Sequence, residues 1–272
     1  MIFSSDLDRT LIYSRKSMGA VPEHELVPVE LYQGDYISYM TQTSIELLQK
    51  LAAHALFIPV TTRTEEQYKR IFYIQQYFQP SYAVTSNGGK ILVNGVPDQE
   101  WSAHIQRALK ESASSGEARR AFEQISSPEW VKKMNFSDEL FFTVILDPER
   151  VPLPVIEEFR HRMQGMGWHV SLQGRKLYLV PAGVNKGDAV LYIRDLVGAR
   201  YIASAGDSLL DESLLNISDF ALSPRHGELY AHKPENEGVR YTRLSGIRAA
   251  EEMIEEITAY FLNIQQQISG IS

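Results

Sequence analysis

The stretch Met1-Ile2-Phe3-Ser4-Ser5-Asp6-Leu7-Asp8-Arg9-Thr10 joins a short apolar run to two aspartates spaced two apart. Residues 2–5 read as a buried strand, and the C-terminal end of a strand in an open α/β sheet faces the crevice where such sheets bind ligands. Asp6 and Asp8 fall just past that end, so a slight loosening of the chain aims both carboxylates at one point. Two carboxylates converging there suit a divalent cation. Taken alone the pair is also compatible with a solvated acidic turn. Its meaning therefore depends on what the rest of the chain supplies.

Working outward, the connection over residues 14–40 is long, and Gln33-Gly34-Asp35 within it reads as a turn between two short strands. Thr43 with Glu46 forms a capping-box pattern ahead of Ile45, Leu48 and Leu51 at helical spacing. Residues 56–60 read as a strand ending at Thr61-Thr62-Arg63, and Thr64 with Gln67 opens the next helix. Residues 82–86 read as another strand, closed by Asn87-Gly88-Gly89. From about 97 to 181 the texture changes. A polar helical stretch at 101–125, broken near Gly116, precedes a strand at 140–146 and a helix at 154–163. Strands at 168–172 and 177–180 then flank Gln173-Gly174-Arg175. A helix at 186–197, strands at 201–205, 220–222 and 239–242, and a final helix at 247–262 restore the first texture. Alternation of strands and helices predicts an α/β fold, a Rossmann-like parallel-sheet core built from residues 1–96 and 182–272. The block 97–181 reads as a smaller α/β domain inserted into it.

Three further segments carry chemistry. Gly206-Asp207-Ser208-Leu209-Leu210-Asp211 follows an apolar strand, and a helix starting near Ser208 would let Asp207 and Asp211, four apart, share one side of its first turn. Acidic residues there also serve as plain helix caps. Lys186 opens a helix, where a cation opposes the helix dipole unless an anion is held beside it. Thr61, at a strand end, can offer its hydroxyl and N–H to a phosphoryl oxygen. The order Asp-x-Asp-x-Thr, strand-Thr-x-Arg, Lys before a helix, and Gly-Asp-x-x-x-Asp resembles the four motifs of the haloacid dehalogenase (HAD) superfamily. Placing the insert between Thr61 and Lys186 resembles the branch with a large α/β cap, which includes Cof-type sugar phosphatases, sucrose-phosphate phosphatase and mannosyl-3-phosphoglycerate phosphatase. That branch often has Gly where Thr62 stands and Asn where Leu210 stands.

The resemblance implies a phosphatase with Asp6 as nucleophile, Asp8 as acid and base, and Thr61 and Lys186 as stabilisers of the phosphoryl group. It further implies Mg²⁺ held by Asp6, the Asp8 carbonyl, Asp207 and Asp211. Thr10, Thr62, Arg63, Asn87 and Arg175 are the candidates for contact with a small-molecule phosphoester, with His161, Arg162, His169 and Lys176 as further cap positions. A phosphomutase on the same fold and a silent phosphate-binding regulator are the rival readings.

Composition fits this picture. Apolar residues make up 44% and charged residues 22% of the chain, which is enough to build a core. The 34 acidic against 27 basic residues, net −7 and without a basic run, argue against a nucleic-acid surface. Zero Cys excludes disulfides and thiolate chemistry. With neither a signal-peptide pattern nor a membrane-length apolar run, the expected location is cytoplasmic and the expected partners exclude membranes.

Overall fold

Strand β1 (Ile2–Ser5) is buried at all four positions in the computed structural model, which describes residues 1–269. The long connection after it folds as an antiparallel hairpin, β2 (Leu26–Tyr32) and β3 (Asp35–Thr41). Gln33 and Gly34 turn the hairpin with φ of 54° and 89°, the two-residue geometry that matches strand twist. Because β3 runs as far as Thr41, the helix that follows, α1 (Gln42–Ala52), is capped there and not at the expected Thr43. The Thr41 hydroxyl accepts the Ser44 N–H at 3.0 Å. Thr41 is extended, as an N-cap must be, whereas Thr43 already lies in the first turn.

Next come β4 (Leu56–Pro59) and α2 (Glu65–Lys69), the latter opened by the Thr64/Gln67 capping box read from the sequence. β4 is the edge strand of the main sheet, where a proline's missing N–H breaks no ladder. β5 (Tyr82–Thr85), β6 (Lys90–Val93) and β7 (Val96–Pro97) form a small antiparallel sheet.

Residues Asp98–Asn185 form a compact unit of their own. It contains α3 (Gln99–Ala108), α4 (Ser115–Glu123), β8 (Val131–Ser137), β9 (Phe141–Leu146), α5 (Leu153–Gly165), β10 (Trp168–Gln173) and β11 (Lys176–Pro181). Its antiparallel sheet, ordered β10-β11-β9-β8, covers a separate core of Phe122, Trp130, Phe142, Phe159, Trp168 and Leu179. The polar helical stretch breaks near Gly116 as expected, just ahead of Ser114, because Ser114 and Glu117 form a capping box that makes Gly116 part of the new first turn. β8 escapes sequence reading because Lys132-Lys133-Met134-Asn135 lacks strand composition; it is an edge strand, where charge discourages mispairing.

The other compact unit takes Met1–Pro97 and resumes at Lys186. It continues through α6 (Lys186–Val197), β12 (Ile202–Ala205), α7 (Glu212–Asn216), β13 (Phe220–Ser223), α8 (Glu228–His232), β14 (Val239–Tyr241) and α9 (Ile247–Ser269). Its main sheet is five-stranded and parallel, ordered β14-β13-β12-β1-β4, over a core that includes Phe3, Leu48, Phe57, Ala203, Leu222 and Ile257. This is the expected Rossmann-like core with an inserted α/β cap. The register pairs Ser5 with Ala205, so the residues after each strand, Asp6 and Gly206-Asp207, emerge side by side at one sheet edge. Among the described residues no helix is long and apolar enough to cross a membrane.

Candidate active site

The turn after β1 is tightened by the amides of Leu11 and Ile12, which donate to the Leu7 carbonyl at 2.9 and 2.8 Å. That turn presents Asp6, whose backbone N–H donates to Ala205 O at 2.9 Å and whose Oδ2 accepts the Thr10 hydroxyl at 3.2 Å. After β12, Ser208 caps a 3-10 turn, Leu209–Asp211, that leads into α7. Asp211 Oδ2 accepts both the N–H and the hydroxyl of Ser208, at 2.9 and 2.8 Å. Capping and site chemistry, which the sequence offered as alternatives, coexist in this one carboxylate: its Oδ1 takes the Lys186 ammonium at 2.5 Å. Lys186 Nζ also donates to Asp6 Oδ1 at 2.6 Å, and the lysine is fully buried. The dipole-opposed lysine is thus held by two carboxylates of the protein itself.

Asp6, Asp207 and Asp211 are all buried, and each offers an oxygen within 4.8 Å of the others. Burial pushes the Asp6 carboxyl up to about 7, with Lys186 pulling against it and Asp211 and Asp8 adding to the rise. Asp207 is raised well above the usual carboxylate range by burial and by the charges of Asp6 and Asp211. Lys186 stays protonated: burial opposes its charge, but Asp211 and Asp6 outweigh that. With all three ionised, the buried carboxylates outnumber Lys186 and Arg9, whose Nε lies 3.6 Å from Asp207, and leave a negative excess. A divalent cation with a preference for oxygen donors fits both that excess and the ligand set.

Gly206 is required by this packing. A Cβ there would stand 2.4 Å from Asp211 Cβ and 2.6 Å from its Cγ. Gly206→Ala is expected to displace Asp211 from Lys186 and to lower stability by roughly 1–3 kcal/mol, as overpacking does. An unchanged thermal melting curve would contradict that.

The remaining core candidates lie at the same end of the sheet strands. Thr61, fully buried, receives the Asn87 N–H on its carbonyl at 3.0 Å and the Arg63 N–H on its hydroxyl at 3.1 Å. Asn87 is buried with φ 58°, and Thr62 is partly exposed beside Thr61. Asp8 is half-exposed and pairs in bidentate fashion with Arg63, Nε to Oδ2 at 2.7 Å and Nη2 to Oδ1 at 2.8 Å. On the Asp98–Asn185 unit, Arg175 and Lys176 are exposed at the β10–β11 turn, and His169 is exposed on β10. On α5, Arg162 donates to Gln124 Oε1 at 2.8 Å and His161 Nδ1 lies 2.8 Å from the Glu157 carbonyl.

Sequence reading missed Arg9, Glu30 and His226. His226 Nδ1 accepts the Gly246 N–H at 3.0 Å, so its Nε2 carries the proton and donates to Arg9 O at 3.0 Å. Arg9 Nη2 returns a bond to His226 O at 2.8 Å, which steers Arg9 toward Asp207. Burial holds the His226 ring below its ordinary pKa, in keeping with this neutral tautomer. A lone His in a loop carries no local signal of such a role.

A carboxylate nucleophile repels a phosphate dianion unless cations stand among the acids, and Lys186 is one such cation. The chain is a HAD-superfamily phosphatase, an enzyme that hydrolyses phosphate monoesters, by its family. The sequence profile of the sucrose-6F-phosphate phosphohydrolases matches residues 1–223, and the chain belongs to that family. No curated protein matches the chain by sequence. Among solved structures, the sucrose-phosphatase of Synechocystis, determined with sucrose and phosphate, is 18% identical with a TM-score of 0.69, over 96% of this chain and 97% of that one. A sugar phosphatase of HAD subclass IIB is 14% identical with a TM-score of 0.60, over 96% and 98%. A Thermoplasma acidophilum protein is 14% identical with a TM-score of 0.57, over 96% and 98%. These similarities establish the fold.

Proposed function

We propose that this protein is a Mg²⁺-dependent phosphatase that hydrolyses a small phosphorylated sugar or related metabolite through an aspartyl-phosphate on Asp6. The observation that carries the reading is the buried Lys186 bridge, 2.6 Å from Asp6 and 2.5 Å from Asp211, directly past β1. It holds one Asp6 oxygen and leaves the Asp6 carboxylate facing the cluster formed with Asp207. Asp6 attacks phosphorus, the bond from phosphorus to the leaving oxygen breaks, and Asp8 gives that oxygen a proton. Asp8 then takes a proton from water, whose oxygen attacks the phosphorus of the aspartyl-phosphate. The bond to Asp6 breaks, and inorganic phosphate leaves with the carboxylate restored. Thr61 and Lys186 hold phosphoryl oxygens as charge redistributes. Mg²⁺, held by Asp6, the Asp8 carbonyl, Asp207 and Asp211, would supply the charge neutralisation that lets a dianionic phosphate approach. Thr10, Thr62 and Asn87 are proposed as polar contacts around the phosphate, and Arg175, on the cap, as a substrate contact. The sugar class follows the family description and the sugar phosphatases of similar fold.

The test is a phosphoester panel of sugar phosphates, phosphoglycerate derivatives and nucleotides, assayed with Mg²⁺ and again with a chelator. Phosphate release from at least one sugar phosphate, lost on chelation and restored by Mg²⁺, is the expected result. At a metal concentration about a hundredfold above its Kd, unfolding should also become about 2.7 kcal/mol less favourable. Release from no panel member would end the proposal, and transfer of the phosphoryl group to a second sugar would replace it with a mutase.

A further inference from the structure

Glu30 is a buried charge with no part in the chemistry just described. It sits in β2 between a buried Val29 and an exposed Leu31, two positions that regular strand alternation would put on one face, so the alternation breaks at Glu30. The hairpin register slips between Pro28 and Glu30 and again between Glu30 and Leu31. Such a bulge re-aims a side chain, and here it turns a carboxylate inward until its residue is fully buried. Ser38 Oγ, across the hairpin, donates to Glu30 Oε2 at 2.5 Å.

The partner that justifies this burial is Arg63. Its Nη1 donates to Glu30 Oε1 at 2.6 Å and its Nη2 to Oε2 at 2.9 Å. Its Nε and Nη2 donate to the two oxygens of Asp8 at 2.7 and 2.8 Å, and Nη1 reaches Gln67 O at 3.5 Å. A guanidinium has five N–H groups, and these contacts use all five. In this arrangement Arg63 keeps none to offer a substrate phosphate. A planar fork gripped on one edge by an immobile carboxylate presents its other edge in one orientation. Asp8 is half-exposed, and this grip fixes its direction.

We infer that Glu30, delivered by the bulged hairpin, is a positioning residue that acts through Arg63 to aim Asp8 at the leaving oxygen of the substrate. The inference rests on the proposed role of Asp8 as general acid. It assigns the long connection after β1 a task in catalysis and makes Arg63 a holder of the acid, not of the substrate.

The test compares a hexose phosphate, whose alkoxide needs a proton to leave, with p-nitrophenyl phosphate, whose phenolate leaves without one. The readout is kcat/KM, which ends at release of the leaving group and so excludes the later attack by water. Glu30→Gln should lower kcat/KM for the hexose phosphate by about tenfold to a hundredfold, the size of loss that misplacing a reacting group causes. The nitrophenyl ester should lose no more than about threefold, a contrast that a simple loss of folded enzyme could not produce, because it scales both substrates equally. Ser38→Ala keeps the charge and removes only the hydroxyl hold, so it should show the same bias on a smaller scale. It decides the matter if Glu30→Gln does not fold. Equal losses on the two esters in the folded variants would overturn the inference. Asp8→Asn is the control for the reading beneath it: if that variant treats the two esters alike, the general-acid assignment itself has failed. If Asp8→Asn discriminates between them and the hairpin variants do not, Glu30 has no positioning role and Asp8 keeps its own.

Discussion

Asp6→Asn is expected to reduce phosphate release to background, a loss of about ten-thousandfold or more, without unfolding the protein. The amide oxygen is a poor nucleophile and cannot form the acyl phosphate. Shape is conserved: the amide oxygen in place of Oδ1 can still accept from the Lys186 ammonium, now at 2.6 Å, and the amide nitrogen in place of Oδ2 can donate to the Thr10 hydroxyl, now at 3.2 Å. Lys186 also keeps its stronger partner, Asp211, at 2.5 Å. Burial pushes the Asp6 carboxyl up to about 7, so that site already resists a full charge when no cation is present. Replacing it with a neutral group removes a source of repulsion among three buried acids. The melting temperature measured with a chelator should therefore equal or exceed that of the parent. Phosphate release near the parental rate would remove Asp6 from the nucleophile role, whatever the fold.

How much of this was legible in the sequence depends on whether a residue acts through local chemistry or through distant packing. Asp6, Asp207, Asp211 and Lys186 each stand at a strand or helix boundary that local pattern marks, and the parallel sheet brings those boundaries to one edge. The hairpin turn at Gln33-Gly34 was legible because positive φ restricts its residues. Glu30 was not, because its inward direction comes from a register slip that no composition reports. The cap of α1 was misplaced by two residues because Thr41 and Thr43 are chemically equivalent, and only the length of β3 chooses between them. β8 was missed because edge position, not composition, makes it a strand. α8 is a single short turn whose place depends on tertiary bonds. The Leu229 amide donates to Asp207 O at 3.0 Å, and Glu228 accepts the Leu209 amide at 3.1 Å. Such bonds are invisible until the chain is folded.

Lys186→Met has the second large expected effect, and it separates the two tasks of this lysine. Methionine fills the same fully buried channel but leaves Asp6 and Asp211 without the ammonium they share at 2.6 and 2.5 Å. Removing one partner of a buried ion pair destabilises by about 3–5 kcal/mol, because the surviving charges are neither solvated nor paired. kcat should fall by about a hundredfold to a thousandfold, the usual loss of a preorganised charge that meets the phosphoryl group. The stability loss should depend on pH. Without Lys186 the Asp6 carboxyl rises further above its unfolded value, since the ammonium is what pulls it down. A raised folded pKa favours the fold only while the group is protonated in both states. The deficit therefore grows as pH climbs from about 4, where the unfolded carboxyl ionises, to beyond the folded value. Urea unfolding with a chelator present should show parent and variant converging toward pH 4 and diverging toward pH 8. Saturating Mg²⁺ at neutral pH should restore part of the lost stability by returning positive charge to the cluster, while kcat stays low because the cation cannot take the lysine's place beside the phosphoryl group. A deficit constant across that range would mean that Lys186 acts by packing alone and not as counter-charge to the carboxylates.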